Sequence, residues 1–484
     1  MNLQTNLMHA EKEISCNSEA MENSNLWSLT ITDAALALDA GTVTSRHLTE
    51  AVLERIASLD PALHAYTRLT PDLALADADR ADADRNEGRL TGPLQGIPIA
   101  VKDAIDDPDA PATFGNPALH SAHPGGSSTV MTRLCAAGAV RLGKLTLSEG
   151  VWVEHHASVP PPLNPYGPDH WTGTSSSGSG VALTAGLTFG SIGTDTGGSI
   201  RLPSGCCGVT GLKPTWGRIS TFGVHPLSPA FDTVGPMART ARDVALLMDA
   251  VAGHDSRDPT SLSAPIAPCR VGGPQDLHGL RLGLPTREIA ISDLAVQDAV
   301  AEAVQVFRRL GAQIVEISLP DPEPVIGAWS VISSAEAAAL HRDSYLAHAD
   351  IYGKALTDLI LRGQNRTSAQ IADAKVQVRR HREQMAAAFS GVDAVLLPAL
   401  PVGGPSNAFM GSFASDEAST QVIGRYTVPF STSGFPTLTV PCGRSSAGIP
   451  IGLQICGAPM SEALLCSIGA AFQDVTLWHG VADI

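Results

Sequence analysis

The stretch Gly173-Thr-Ser-Ser-Ser-Gly-Ser-Gly180, followed by Gly193-Thr-Asp-Thr-Gly-Gly-Ser-Ile-Arg201, decides how this 484-residue chain is read. Each is a glycine-rich turn that carries serines and leads towards a helix. The key serines, Ser175 and Ser199, are 24 residues apart, and Lys102 ends an apolar run upstream, in Ile-Pro-Ile-Ala-Val-Lys-Asp. A serine nucleophile needs a proton acceptor, a route for the proton, and donors for an oxyanion. The two turns can supply the last two and Lys102 the first. Each feature also has an ordinary reading. Glycine-rich segments are the usual punctuation between elements, and Lys102 could pair with Asp103, Asp106 or Asp107.

Outward from this block, short strands alternate with helices. The run ending at Lys102 reads as a buried strand. A helix should follow Gly125–Ser128 and carry Val130, Met131, Leu134 and Cys135, with a strand at 139–142, a helix at 178–186 and a strand at 188–194. Residues 151–172 are broken by prolines. Upstream, 1–26 reads as a loose tail. Thr44-Ser45 caps a helix with Leu48, Val52, Leu53 and Ile56 on one face, ended by Ser58–Pro61 because proline cannot continue a helix. Residues 71–88 read as a mostly exposed helix whose Asp-Ala-Asp-Arg repeats face water. Downstream, 253–280 reads as a surface excursion. Strands are expected at 280–284, 313–317 and 393–398, an amphipathic helix at 294–310, helices through 326–391, a hairpin pairing 434–443 with 449–457, and a last helix at 461–474. The class is α/β, in a single large domain over 27–478 with helical insertions.

Composition narrows the function. With 44% hydrophobic and 17% charged residues and a net charge of -16, the chain suits a soluble globular protein and repels a phosphate backbone. No basic run offsets this, so nucleic acid is not expected as a partner. The N-terminus has no secretory pattern and no run of about 18 apolar residues occurs, which points to a cytoplasmic protein without a membrane span. The eight cysteines (16, 135, 206, 207, 269, 442, 456 and 466) form no Cys-x-x-Cys and read as reduced thiols. No metal-ligand cluster is present. His155 and His156 are adjacent and so face apart. Gly138–Leu145 nearly spells a phosphate loop but has Leu145 where the metal-binding hydroxyl belongs. Gly-x-Ser-x-Gly is missing, which excludes an α/β-hydrolase elbow.

Five ordered blocks give the sequence a resemblance to a known family. Gly96-Ile-Pro-Ile-Ala-Val-Lys-Asp103, the two serine turns, Cys207-Gly-Val-Thr-Gly-Leu-Lys-Pro214 and Phe231-Asp-Thr-Val-Gly-Pro-Met-Ala-Arg239 are similar to the amidase signature hydrolases. The strong similarity spans about 92–250. The resemblance implies a large mixed twisted β-sheet core surrounded by α-helices. It implies a Ser-cisSer-Lys triad with Ser199 as nucleophile, Ser175 as bridging serine after a cis Thr174–Ser175 bond, and Lys102 as base. The amides of Thr196, Gly197, Gly198 and Ser199 would form the oxyanion hole. Asp195 and Arg201 read as a buried structural ion pair and Asp232 as architectural. Thr174 and Ser177 stand where the family normally has glycine.

The activity so implied is hydrolysis of a carboxamide C–N bond through an acyl-enzyme, with no metal and no cofactor. Carbamates, ureas, anilides or esters are the alternative substrates. Two further alternatives are a glutaminase-like subunit of a tRNA-dependent amidotransferase and a non-catalytic binding protein of the same fold. The partner is a small-molecule amide or carbamate, and a homodimer stays open. Pocket walls are expected from 150–172, with Trp152, His155, His156 and Trp171, from the helical segment 326–391 and from the loop 401–424. Thr174 would shape the pocket, and Cys206 would leave room for a bulky acyl or aryl group.

Overall fold

A computed structural model describes residues 23–122, 126–265, 267–273, 275–411 and 417–484. Its frame is one eleven-stranded mixed sheet. The strands are β1 (Tyr66–Leu69), β2 (Pro98–Lys102), β3 (Val140–Leu145), β4 (Gly190–Asp195), β5 (Thr210–Lys213), β6 (Thr233–Ala238), β7 (Arg281–Leu284), β8 (Gln313–Glu316), β9 (Ala394–Pro398), β10 (Thr437–Arg444) and β11 (Pro450–Gly457). Their spatial order is β1-β3-β2-β4-β6-β5-β10-β11-β9-β7-β8. The expected class, a large mixed sheet wrapped by helices in one domain, is the one found.

The central strands are buried throughout because both faces are covered, with polar side chains such as Lys102 and Asp195 at their ends. Every residue of β2, β4, β5, β6, β9 and β11 is buried. β2 runs parallel to both β3 and β4, with Val101 opposite Lys144 on one side and Ile192 on the other. The chain leaves β2 for one neighbour and returns past it to the other. A crevice therefore opens beyond the carboxyl ends of β2 and β4, the usual place for a ligand in such sheets.

Helices cover the sheet by the expected periodicity. In Leu294–Arg309 the buried residues are Val296, Ala299, Val300, Ala303, Val304 and Phe307, one stripe at helical spacing, and Asp293 caps it by accepting from the Val296 N–H. The hairpin pairs β10 with β11 antiparallel, as read. A second layer, Glu323–Leu340 with Lys354–Gln364 and Ser368–Ala388, forms its own apolar cluster over the crevice.

Three expectations change. The helix Ser45–Leu63 passes through Pro61 and ends at His64, in the left-handed region with φ 56°. Pro61 lies in the final turn, where it forgoes one i→i−4 bond, to the Ala57 carbonyl, and the helix ends two residues later. The helix Pro71–Asn86 is not wholly solvated, because Asp77 is buried between Arg80 and Arg141. Of the expected tail 1–26, residues 1–22 lie outside the described residues, as does Cys16. Asn23–Ser28 is a 3₁₀ turn with Leu26 buried and the Arg55 guanidinium 3.4 Å over the Trp27 ring. The other seven cysteines are free thiols, six of them buried and Cys135 exposed.

Candidate active site

Lys102, at the last position of β2, is fully buried. Its Nζ lies 2.7 Å from Ser175 Oγ and 2.7 Å from Thr194 Oγ1 on the neighbouring strand β4. The salt bridge it could have made is not formed among the described residues. Asp103 instead takes the Thr113 N–H and hydroxyl and lies 3.9 Å from Lys144. Burial lowers the Lys102 pKa to about 7, against the opposing pull of Asp195 and Asp232. At neutral pH a large fraction of this amine is therefore uncharged and able to accept a proton.

Ser175 is fully buried and follows a cis Thr174–Ser175 peptide bond. The turn it occupies is tied to the second turn through the Ser176 N–H, which donates to Ser199 O at 3.2 Å. Ser199 sits between β4 and the helix Arg201–Cys207 and lines a cavity of about 290 Å3. Its Oγ has no hydrogen bond among the described residues.

The turn 196–200 is held peptide by peptide. Thr196 O accepts from the Trp329 indole N–H at 3.0 Å, and Gly197 O from the Thr427 hydroxyl at 2.6 Å. Gly198 O accepts from the Leu202 N–H at 2.7 Å. Asp195 Oδ1 accepts from the Gly198 N–H at 2.8 Å and Oδ2 from the Ile200 N–H at 3.1 Å. Arg201 clamps Asp195 with two more bonds, at 2.8 and 3.0 Å, and reaches Thr427 O and Ser431 Oγ, each at 2.7 Å. Burial pushes the Asp195 carboxyl up, but Arg201, Lys213 and the backbone N–H groups outweigh it and hold the pKa at about 2. The expected buried ion pair is thus present, with both side chains fully buried. Asp232 accepts from the Thr196 hydroxyl at 2.5 Å and from two backbone N–H groups, while burial raises its pKa to about 6.

One of the four expected donors is already engaged. The Gly198 N–H is spent on Asp195, so Thr196, Gly197 and Ser199 are the amides of the turn without a partner among the described residues. Gly198 has φ +141°, a region that favours glycine, and a Cβ there would sit 2.8 Å from Thr427 Oγ1. Free N–H groups beside a serine hydroxyl can hold a developing oxyanion, and a neutral lysine behind a second serine can take the proton.

The expected walls are placed unevenly. Trp152, Trp171 and Thr174 line the cavity with Ser199. From 326–391 a single residue, Trp329, reaches it, and from 401–424, expected as a loop but carrying the short helices Asn407–Gly411 and Glu417–Ile423, come Asn407, Met410 and Ile423 among others. His155 and His156 do not line it. They border an adjoining groove, where His155 Nε2 lies 2.9 Å from Ser177 Oγ and burial lowers the His155 pKa to about 4. Ser177, one of the two positions without the family glycine, thus has an imidazole for a partner. Cys206 is also absent from the lining. The helix Arg201–Cys207 turns it behind Leu202, against Leu400, and burial pushes its thiol up to about 12. Sequence reasoning missed Leu202, Leu227 and Val428 as lining residues, and left Glu154 and Trp329 unnamed within the segments it expected to form the walls. The one signal for Trp329 was a lone indole on a helix of otherwise aliphatic and small residues.

Among the described residues no cluster of potential metal ligands occurs, and no helix is long and apolar enough to cross a membrane.

Comparison with known proteins agrees over nearly the whole chain. The Amidase family model matches residues 47–466. A Mycobacterium tuberculosis protein named as an amidase, AmiD, is 37% identical over 93% of this chain and 95% of its own. One of the subunits of glutamyl-tRNA(Gln) amidotransferase from Chloroflexus aurantiacus is 38% identical over 93% of this chain and 97% of its own. Among solved structures, a chain from a vestigial protein complex bearing on the origins of an s-triazine catabolic enzyme superposes with TM-score 0.86 at 31% identity, over 93% of this chain and 99% of that one.

Proposed function

This chain belongs to the amidase signature family, and from that premise we propose that it is a cytoplasmic serine hydrolase that cleaves a carboxamide C–N bond in a small molecule. The observation that carries the reading is the buried amine of Lys102, 2.7 Å from Ser175 Oγ, with its pKa lowered to about 7. In the proposed reaction Ser199 Oγ attacks the carbonyl carbon while its proton passes to Ser175 and the Ser175 proton to Lys102. The free amides of the 196–199 turn hold the oxyanion. The relay then reverses. Ser175 protonates the leaving nitrogen, the C–N bond breaks, and an ester of Ser199 remains. Water, deprotonated through the same relay, adds to that ester and releases the acid.

The cavity favours a neutral, apolar acyl group. Three indoles, of Trp152, Trp171 and Trp329, are joined by Leu202, Met410 and Ile423, and the only charged lining side chain among the described residues is Glu154. Likeness to the glutamyl-tRNA(Gln) amidotransferase chain keeps a second reading in view, a glutaminase-like subunit. An amino-acid carboxylate would call for a cationic partner, and neither Lys nor Arg lines the cavity among the described residues. That favours simple amides, with anilides, carbamates, ureas and esters as related substrates.

The deciding experiment runs a panel of primary amides, anilides, carbamates, esters and glutamine on wild type and on Ser199→Ala. The reading expects an apolar amide or anilide to be preferred over glutamine, and loss of about 10⁴-fold or more in the variant. Full activity of Ser199→Ala would defeat it. Glutamine as sole substrate, gained only with a stoichiometric partner from the native host, would support the amidotransferase reading instead.

A further inference from the structure

Two of the free donors in the 196–199 turn are set by what grips the far side of the same peptide unit. A trans peptide is planar, with its C=O and N–H pointing in opposite directions, so fixing the carbonyl fixes the amide. For Ser199 N–H the opposing carbonyl is Gly198 O, held by the Leu202 N–H inside the turn itself. For Gly197 N–H it is Thr196 O, held by the indole N–H of Trp329 at 3.0 Å. Trp329 belongs to the helix Glu323–Leu340, 133 residues downstream of Thr196 and outside the block that carries the triad. Steric contact reinforces the hydrogen bond. A Cβ on Gly197 would lie 2.6 Å from Trp329 Cζ2, so the indole lies directly against the glycine backbone. The ring is fixed in turn by stacking on Trp152, centroids 6.0 Å apart at 24°, and both indoles are buried while lining the cavity.

We infer that Trp329 is a positioning residue for the oxyanion hole: its indole N–H holds the Thr196 carbonyl outward and thereby aims the Gly197 N–H at the oxygen of the reacting carbonyl. The inference rests on the proposed hydrolysis at Ser199. It assigns one residue of the second helical layer to transition-state stabilisation as well as to the pocket wall. Without the indole donor the Thr196–Gly197 peptide can rotate, and its N–H leaves the hole with it. Removing an oxyanion-hole donor outright costs about 10²–10³ in rate, so misaiming one should cost roughly 10-fold or more.

The test compares wild type with Trp329→Phe, which keeps an aromatic wall and loses the donor, and with benzothienylalanine placed at 329, where sulfur replaces N–H at nearly constant shape. Three quantities are read. The first is the rate at which an alkyl fluorophosphonate labels Ser199. In that step the Ser199 O–P bond forms, fluoride leaves, the hydroxyl proton enters the relay, and the phosphoryl oxygen occupies the oxyanion hole. The others are kcat and KM for the best amide of the panel, and the thermal midpoint. Labelling rate and kcat should fall together by about 10-fold or more in both variants, with KM within about twofold and the melting temperature little changed. Unchanged labelling with a raised KM would make Trp329 a wall residue only and overturn the inference. So would a loss of rate that tracks the loss of folded protein. A wild-type chain that hydrolyses amides but takes no label at Ser199 would overturn the nucleophile assignment beneath it.

Discussion

The two sides of the cavity at Ser199 are built by different means. One side, the turns on β2 and β4, is a continuous block of sequence in which Lys102, Ser175 and Asp195 are fully buried and the backbone of 196–200 is pinned at every peptide. The other side is assembled from Trp152, Trp171, Trp329 and Ile423, side chains of four separate segments that, apart from the Trp329 indole N–H, are held by apolar packing. Hydrogen-bonded, buried polar networks tolerate little substitution, whereas apolar walls accept many side chains of suitable volume. The contrast separates what the enzyme does from what it does it to.

That separation can be broken from either side. The largest effect should come from Ser175→Ala, which cuts the proton route: kcat for the preferred amide should fall about 10³-fold while KM stays within a few-fold, measured by steady-state kinetics. Retention of kcat would mean that Lys102 reaches Ser199 by another path. Next, Arg201→Met leaves Asp195 buried without its cation. Urea unfolding should show a loss of about 3–5 kcal/mol, and the turn carrying Ser199 should lose activity in the protein that remains folded. A third effect follows from Lys102. With its neutral form as the proposed base and a pKa of about 7, the sign is fixed: protonation as pH falls should remove activity. The kcat/KM profile should rise about tenfold per pH unit below about 7 and level off above, and Lys102→Met should abolish the limb together with the activity. The smallest effect belongs to the apolar side. Ile423→Ala should change the ranking of bulky against small acyl groups by roughly 10-fold while kcat on the small amide stays within about twofold, read as a ratio of kcat/KM values. A uniform loss across both substrates would instead place Ile423 in the machinery.

The same contrast explains what could be read from the sequence. Lys102, Ser175 and Ser199 could be singled out, and the Asp195–Arg201 pair read, because each is marked by chain-local features, an apolar run ending in lysine and glycine turns at strand ends. The sheet hairpin and the helix Leu294–Arg309 were legible by period. β6 was not read as a strand. It holds Gly235 and Pro236, which weaken the local signal, and only its place between β4 and β5 makes it one. Cys206 looked like a pocket residue from its position after the nucleophile. The turn of a helix, invisible without the fold, puts Leu202 in the cavity and Cys206 behind it. Trp329 was hidden for the opposite reason. No motif near it in sequence marks it, and its partner, Thr196 O, lies in another part of the chain. Of the four expected donors, the Gly198 N–H is engaged, because Asp195, read as an ion-pair partner of Arg201 alone, also accepts it, a contact that follows only from the folded turn.

One measurement bears most directly on the central claim. The protein is treated with an alkyl fluorophosphonate, digested, and the peptide containing Ser199 is sequenced by mass spectrometry, in wild type, Ser199→Ala and Lys102→Met. The account predicts a single adduct on Ser199 in wild type, none in Ser199→Ala, and strongly slowed labelling in Lys102→Met. An adduct on any other residue, or full amide hydrolysis by Ser199→Ala, would contradict it.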